Sequence, residues 1–319
     1  MRLIKTEDAV GHVLCHDMTQ IIKDQYKDAR FRKGHVVTEE DIPVLLSMGK
    51  EHLYVWEMTS GMVHENDAAE RLLALCGQEN MIRSGVKEGK IELKAACDGV
   101  FLVDSARLVA VNSQDEVMIA TRKGGMAVRE GDKLAGMRVI PLIIEEEKLR
   151  KAEQAAGDKP LLSLKPYVRK TACIVATGGE VKKGLIKDTF TPVVIDKLKT
   201  YGIETLEVVY SGDGVENVRD AVLTMREKKP DMILCTGGMS VDPDDNTPGG
   251  IKAAGANIIA YGAPVLPGAM FLLGYFDDGM PVMGLPGCVM YAGATVFDLV
   301  LPKIAADVPV TRADLAALG

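Results

Sequence analysis

Two short segments combine hydroxyls and glycines in a way that can hold an anion. Ala176-Thr177-Gly178-Gly179-Glu180 and Thr236-Gly237-Gly238-Met239-Ser240 each follow an apolar β-type run, TACIVA and DMILC. Glycine lets backbone N–H groups approach a bound oxyanion with no Cβ in the way, and threonine and serine add hydroxyl donors. One such copy reads as a plain turn out of a strand. Two copies at strand ends of one sheet point to a phosphate or carboxylate cradle.

The second copy runs on into Val241-Asp242-Pro243-Asp244-Asp245-Asn246-Thr247. Three carboxylates this close repel one another unless a cation sits among them, and Mg²⁺ beside ligand phosphates is the natural guest. The plainer reading is an exposed acidic turn with Asp245 or Asn246 capping a following helix. Asp188, in Gly184-Leu185-Ile186-Lys187-Asp188-Thr189, stands before the helix at Pro192 and either caps it or faces a ligand. Gly284-Leu285-Pro286-Gly287 closes the last strand and opens an apolar helix, whose N-terminus would offer free N–H groups.

These segments need a scaffold that brings strand ends together. From residue 167 onward the chain alternates: strands at 171–176, 204–209, 231–235, 257–261 and 281–283, and helices at 193–201, 215–228 and 290–301. Fully apolar strands between helices predict a parallel sheet covered on both faces, an α/β three-layer domain over 167–319. Ligands of such sheets bind beyond the strands' carboxyl ends.

The first half reads differently. Residues 1–80 are mixed α+β, with strands at 11–22 and 49–58 and helices at 39–49 and 66–76. Residues 81–145 are β-rich: short runs at 89–96, 99–104, 107–112, 116–121 and 136–144, separated by turn residues, suggest a small barrel or sandwich. Residues 146–166 carry a charge run and then two prolines and read as a linker, its charged part a solvated helix.

Composition narrows the function. The net charge of −7 and 5% aromatics disfavour nucleic-acid binding, which needs clustered Lys and Arg or stacking rings. No apolar run is long enough to span a membrane, and the N-terminus lacks the apolar region of a secretory signal. The six cysteines are scattered without a CxxC, which points to a reducing, cytoplasmic setting. All five histidines lie at or before residue 64, so imidazole chemistry inside the α/β domain is excluded. His12 and His16 have ligand-like spacing, but on a strand they would stand apart, and a core or surface role suits them better. There is no GxGxxG or P-loop pattern.

Taken in order, the Thr-Gly-Gly pair, the Gly-x-x-x-Asp-Thr segment, the acidic loop and Gly-Leu-Pro-Gly resemble the molybdopterin-binding domain of molybdenum cofactor biosynthesis proteins, over residues 168–305. The nearest likeness is to the molybdopterin molybdenumtransferase branch, which inserts molybdate into adenylylated molybdopterin. Residues 33–56 add a weaker likeness to that branch. The resemblance implies that Thr177, Gly178, Gly179, Glu180, Thr189, Thr236, Gly237, Gly238 and Ser240 cradle the pterin or its phosphate, with Pro286 and Gly287 shaping the far wall. It further implies catalytic roles for Asp245 and Asp188, and Asp245 with Asp244 as Mg²⁺ ligands. Molybdate would be the substrate.

The chain departs from that family at several points. Leu266-Pro267-Gly268-Ala269-Met270 stands where two lysines are usual, and Cys288-Val289 replaces an Asn-Pro. The missing cations would have held anions, so ligand binding is expected more firmly than turnover. A non-catalytic carrier, chaperone or sensor for a molybdoenzyme is the second reading, and a different phosphorylated ligand is the third. Relatives of this kind often form dimers, which makes a homodimer the expected assembly.

Overall fold

The computed structural model describes residues 2–22, 26–55, 61–240 and 246–319. The chain divides into two compact units: Met1–Cys97 with Phe101–Gly124 and Arg129–Leu164, and Asp98–Val100 with Gly125–Val128 and Lys165–Gly319.

In the N-terminal unit, Arg2–Lys5 pairs antiparallel with His52–Val55, and Met18–Ile22 pairs with Tyr26–Phe31. Leu14, Met18, Phe31, Val37, Leu45, Leu53 and Val55 form their core. A four-stranded sheet follows, in the order Met81–Arg83, Ile91–Ala95, Lys133–Val139, Val117–Thr121, and its pairings are antiparallel. Helices Glu65–Leu75, Ser105–Asn112 and Glu146–Ala156 pack with this sheet and with one another.

Two expectations are corrected here. Residues 107–112 are helix, not strand, so this region is a sheet covered by helices and not a barrel or sandwich. Asp104 accepts a hydrogen bond from the backbone N–H of Arg107 at 3.1 Å and so caps the helix, while Leu108 and Val111, three apart, bury the inner face. The valines that suggested β structure are placed by that cap and face. The stretch 146–166 is packed structure and not a linker. It contains helix Glu146–Ala156 and strand Leu162–Pro166, and Leu149, Ala152 and Ala156 are buried at helical spacing beneath the charged face. Arg71 clamps this helix through two hydrogen bonds to Glu153, at 2.7 and 2.8 Å.

The C-terminal unit is a three-layer α/β domain. Its elements are β1 (Thr171–Thr177), α1 (Phe190–Lys199), β2 (Glu204–Ser211), α2 (Val215–Glu227), β3 (Met232–Thr236), α3 (Thr247–Ala253), β4 (Asn257–Tyr261), β5 (Leu272–Tyr275), β6 (Pro281–Leu285) and α4 (Val296–Ala305). The sheet order is β2-β1-β3-β6-β5-β4. The pairs β2/β1, β1/β3 and β3/β6 are parallel, while β5 runs antiparallel to both neighbours. β5 was not anticipated from the sequence, and its reversal departs from a wholly parallel sheet.

Alternation along the strands sorts the two faces. Ala172 and Ile174 of β1, with Met232 and Leu234 of β3, pack against Val194 and Leu198 of α1 and Phe297, Val300 and Leu301 of α4. Cys173 and Val175, with Ile233 and Cys235, pack against Val218, Val222 and Met225 of α2 and Ile251 of α3. Cys173 and Cys235 are thus core residues, and burial pushes the Cys235 thiol up to about 12. α4 begins at Val296, later than expected. Thr295 and Asp298 form a reciprocal capping box there, and the residues after Gly-Leu-Pro form a separate 3₁₀ turn, Gly287–Met290.

Candidate functional site

β1 connects through α1 to β2 on one side, and β2 through α2 to β3 on the other, with α1 and α2 on opposite faces. The connections therefore diverge between β1 and β3, and that divergence opens a crevice beyond their carboxyl ends. Ala176 pairs with Thr236, Thr177 with Ser211, and Thr236 with Leu285. Four strands consequently end level, and the turns that follow them share one edge.

The two Thr-Gly-Gly turns are bonded to each other. The buried Thr177 hydroxyl lies 2.9 Å from the Thr236 carbonyl and 3.1 Å from the Thr247 hydroxyl, which itself lies 2.8 Å from the Gly237 carbonyl. Both hydroxyl hydrogens go to carbonyl oxygens, so the two threonines tie the turns together and leave the ligand to other donors. The Thr247 backbone N–H donates to the Gly238 carbonyl at 3.2 Å, which fixes the start of α3 against the second turn.

Glycine is required at 237 and 238. Their φ values are +83° and +57°, and a Cβ on Gly237 would lie 2.5 Å from the Thr177 carbonyl oxygen. In the first turn, the Gly178 N–H donates to the Ser211 carbonyl at 3.3 Å and the Gly179 N–H to the Asp213 carboxylate at 3.0 Å. Asp213 thus lies on the donor that an incoming oxyanion would use.

Met239 lies over β6. A Cβ on Gly284 would come within 2.5 Å of the Met239 sulfur, so the glycine makes room for that side chain. The Tyr261 hydroxyl donates to the Met239 carbonyl at 3.0 Å. Ser240 is exposed at the rim. Asp244 and Asp245, the expected Mg²⁺ ligands, lie outside the described residues, as does the side chain of Glu180.

Asp188 has a definite structural task. Its Oδ1 accepts from the N–H groups of Phe190 at 2.9 Å and Thr191 at 3.0 Å, at the first turn of α1. Burial alone would raise its pKa, but hydrogen bonds from Thr191, Phe190 and Tyr210 outweigh that and hold the carboxyl below the usual carboxylate range. Thr189 reaches the sulfur of Met290 at 3.0 Å, which joins the Gly-x-x-x-Asp-Thr segment to the turn after Leu285-Pro286-Gly287. Pro286 is buried and Gly287 exposed.

The structure therefore brings Thr177–Gly179 and Thr236–Gly238 into direct contact, and Thr189 against the turn that carries Gly287. Sequence reasoning missed three participants: Thr247, Asp213 and Tyr261. Thr247 carried a local signal, a threonine before proline at a helix start. Asp213 and Tyr261 carried none, because each is placed by sheet order. Lys182 reaches the turn after β2, its ammonium nitrogen 3.9 Å from where a Cβ on Gly212 would lie, and Lys183 and Lys187 are exposed on the same segment. Among the described residues no group of three His, Cys, Asp or Glu side chains is arranged to hold a metal ion. With one Asp188 oxygen committed to the cap, Mg²⁺ would depend on residues 242–245, which lie outside the described residues. The glycine-lined contact of the two turns fits an anionic ligand with close backbone approach.

Residues 173–306 match the family described as "Probable molybdopterin binding domain", and residues 3–57 match a domain of unknown function, DUF8806. The C-terminal unit thus carries a domain of the molybdopterin-binding family, in agreement with the resemblance read from its motifs. A CinA-like protein of Mycobacterium tuberculosis is 33% identical over 76 residues, 24% of this chain and 18% of that protein. A CinA-like protein of Petrotoga mobilis is 32% identical over 76 residues, 24% of this chain and 19% of that protein. The match thus spans less than a fifth of those relatives' length. Among solved structures, the molybdopterin biosynthesis Mog protein of Mycobacterium ulcerans is similar at 21% identity and TM-score 0.36, covering 43% of this chain and 97% of that one. The molybdopterin biosynthesis enzyme MoaB of Thermus thermophilus is similar at 18% identity and TM-score 0.36, covering 42% and 91%. No helix among the described residues is long and apolar enough to cross a membrane.

Proposed function

We propose that the crevice beyond β1, β3 and β6 binds molybdopterin in its nucleotide-activated form, and that the protein acts in molybdenum cofactor biosynthesis. The observation that carries this reading is the interlock of the two Thr-Gly-Gly turns through Thr177, Thr236 and Thr247, in a segment that matches the molybdopterin-binding family. Backbone N–H groups of the second glycine turn and the exposed Ser240 hydroxyl receive the phosphates, joined by the Gly179 N–H where the ligand displaces Asp213. Lys182, Lys183 and Lys187 supply positive charge in place of the lysines absent from 266–270.

The finer reading is Mg²⁺-dependent insertion of molybdate. Asp242, Asp244 and Asp245 offer the hard oxygen donors that Mg²⁺ takes, and the ion would neutralise phosphate charge. This chain's part is to hold the pterin and the nucleotide in one orientation, so that the anhydride and the dithiolene lie within reach of molybdate. A homodimer in the cytoplasm is the proposed working state.

A second reading, a carrier or sensor that retains the cofactor for a molybdoenzyme without turnover, is favoured by Leu266-Pro267-Gly268-Ala269-Met270, which leaves that loop without cations. One experiment separates them. The protein is mixed with adenylylated molybdopterin, Mg²⁺ and molybdate, and AMP release and ligand retention are measured together. AMP release above the protein-free control supports insertion, and Asp245→Ala is expected to abolish it. Retained ligand without AMP supports the carrier. If neither AMP release nor retained ligand is seen, molybdopterin is overturned as the ligand and a different phosphorylated ligand takes its place.

A further inference from the structure

The N-terminal unit holds a polar cleft of about 1210 Å³ that the molybdopterin reading does not use. Three pieces of chain line it: the segment carrying His16, Asp17, Arg32 and Lys33; the start of helix Glu65–Leu75 with His64, Glu65 and Asn66; and the connection 84–90 with Glu92 of the strand that follows.

At its wall, the Lys33 ammonium nitrogen lies 2.7 Å from Nδ1 of His64. The same Nδ1 accepts from the Asn66 backbone N–H at 3.1 Å. With two donors on Nδ1, the imidazole proton belongs on Nε2, which lies 2.6 Å from the Cys15 carbonyl oxygen. The tautomer follows from this network. His64 is 1% exposed and cannot turn away. Asp17 accepts from the Lys33 backbone N–H at 2.7 Å and fixes the main chain beneath the amine.

This is the arrangement of an activated nucleophile: an amine, a base within hydrogen-bond reach, and a third group that orients the base. Burial lowers the Lys33 pKa, and burial likewise lowers that of His64, so both are shifted toward their neutral forms. Glu65, 9% exposed, also lines the cleft, and burial raises its pKa toward the protonated acid. In all three groups burial favours the neutral form: an amine, an imidazole that can accept a proton and a carboxylic acid that can give one. Nδ1 of His16 is buried in the same wall without a hydrogen-bond partner among the described residues.

We propose that this cleft is a second ligand site, which captures a small aldehyde or ketone covalently through the Lys33 amine. The Lys33 ammonium first loses one proton to solvent, and the lone pair of the neutral amine then attacks the carbonyl carbon, forming the C–N bond as the carbonyl π pair moves to oxygen. The Lys33 proton passes to His64 Nδ1, and the oxygen gains a proton from Glu65. The carbinolamine then loses water: its C–O bond breaks, His64 returns its proton to the departing oxygen, and the remaining N–H proton goes to Glu65. One carbonyl compound and one amine give one imine and one water, with no change of oxidation state. The inference is independent of the C-terminal crevice.

The test uses the full chain, glyoxylate as the probe carbonyl and sodium cyanoborohydride to trap the imine. Peptide mass spectrometry reads the labelling rate at each lysine. Lys33 is expected to label faster than the exposed Lys199 and Lys228. Lys33→Arg removes that adduct and leaves the labelling of the other lysines unchanged. His64→Gln is expected to slow labelling at Lys33 by about 10²-fold, the scale of a positioned base. If that variant does not fold, the wild-type labelling order decides, supported by Glu65→Gln, which should slow trapping at Lys33. Labelling of Lys33 no faster than that of Lys199 overturns the proposal, as does a folded His64→Gln protein with an unchanged rate.

Discussion

The side-chain hydroxyl of Thr177 donates to the backbone carbonyl of Thr236 at 2.9 Å, and so ties the end of one strand to the end of the strand beside it. The two residues are 59 positions apart in sequence, and each opens one of the two glycine turns. Through Thr247 the same hydroxyl also touches the helix that follows the second turn. The crevice is therefore held as one unit.

Replacing Thr177 by valine keeps the shape and removes the hydroxyl. The Thr236 carbonyl then loses a buried donor, and stability should fall by about 1–3 kcal/mol. Urea unfolding measures that change. Titration with a pterin phosphate should show a parallel loss of affinity, because both turns lose their shared anchor. Unchanged affinity would separate the threonine from the ligand site.

Gly237→Ala places a methyl group 2.5 Å from the Thr177 carbonyl oxygen at a backbone φ of +83°. Backbone must shift, and strain at such a position is of order 1–3 kcal/mol. We expect the thermal midpoint to drop and ligand binding to be lost in the folded fraction. Gly279→Ala, at a similar φ of +81° but with no atom within 4 Å and at the opposite end of β6 from the crevice, is the matched control and should bind normally.

Asp213 accepts from the Gly179 N–H at 3.0 Å, where an oxyanion of the ligand would bind. Asp213→Asn removes a negative charge from that point and should tighten binding of pyrophosphate or of the nucleotide-activated pterin several-fold. Isothermal titration at low and high salt checks this. The gain should shrink as salt screens the charge. A weaker-binding variant would show that the carboxylate supports the turn more than it opposes the ligand.

Asp188 makes stability depend on pH. Its carboxyl is held below the ordinary value, so the folded protein favours the charged form. The resulting stabilisation is present above the unfolded carboxylate pKa of about 3.9 and is lost as pH falls through the lower folded value. Asp188→Asn keeps a capping oxygen and removes the titration, so its stability should vary less with pH in the acid range. Asp188→Ala loses the cap as well, about 0.5–2 kcal/mol at neutral pH. Denaturant midpoints across pH 3–7 distinguish the two.

Much of this protein was legible in its residues because the relevant constraints are local. Apolar runs such as TACIVA and DMILC read as buried strands and form them, and the Thr-Gly-Gly after each turns the chain out of the sheet. The positive φ values at Gly237 and Gly238 are the backbone form of that reading. The motif order also carried the family resemblance that the match over 173–306 supports.

Other features were decided by distance in the chain. The fragment 107–112 is rich in β-branched residues, yet Asp104 caps it and Leu108 and Val111 find a core, so packing overrode propensity. Asp188 is the local exception: its cap on the N–H groups two and three residues on was one of the two readings of the sequence, and its Oδ1 takes that role. Asp213 and Tyr261 reach the crevice only because the sheet order is β2-β1-β3-β6-β5-β4. The Lys33–His64–Cys15 contact joins residues 31 and 49 positions apart, and no spacing rule connects them. Local sequence set which residues turn, cap and bury, because those preferences act within a few bonds. Which turn met which, and which amine met which imidazole, waited on the sheet and core that fold distant segments together.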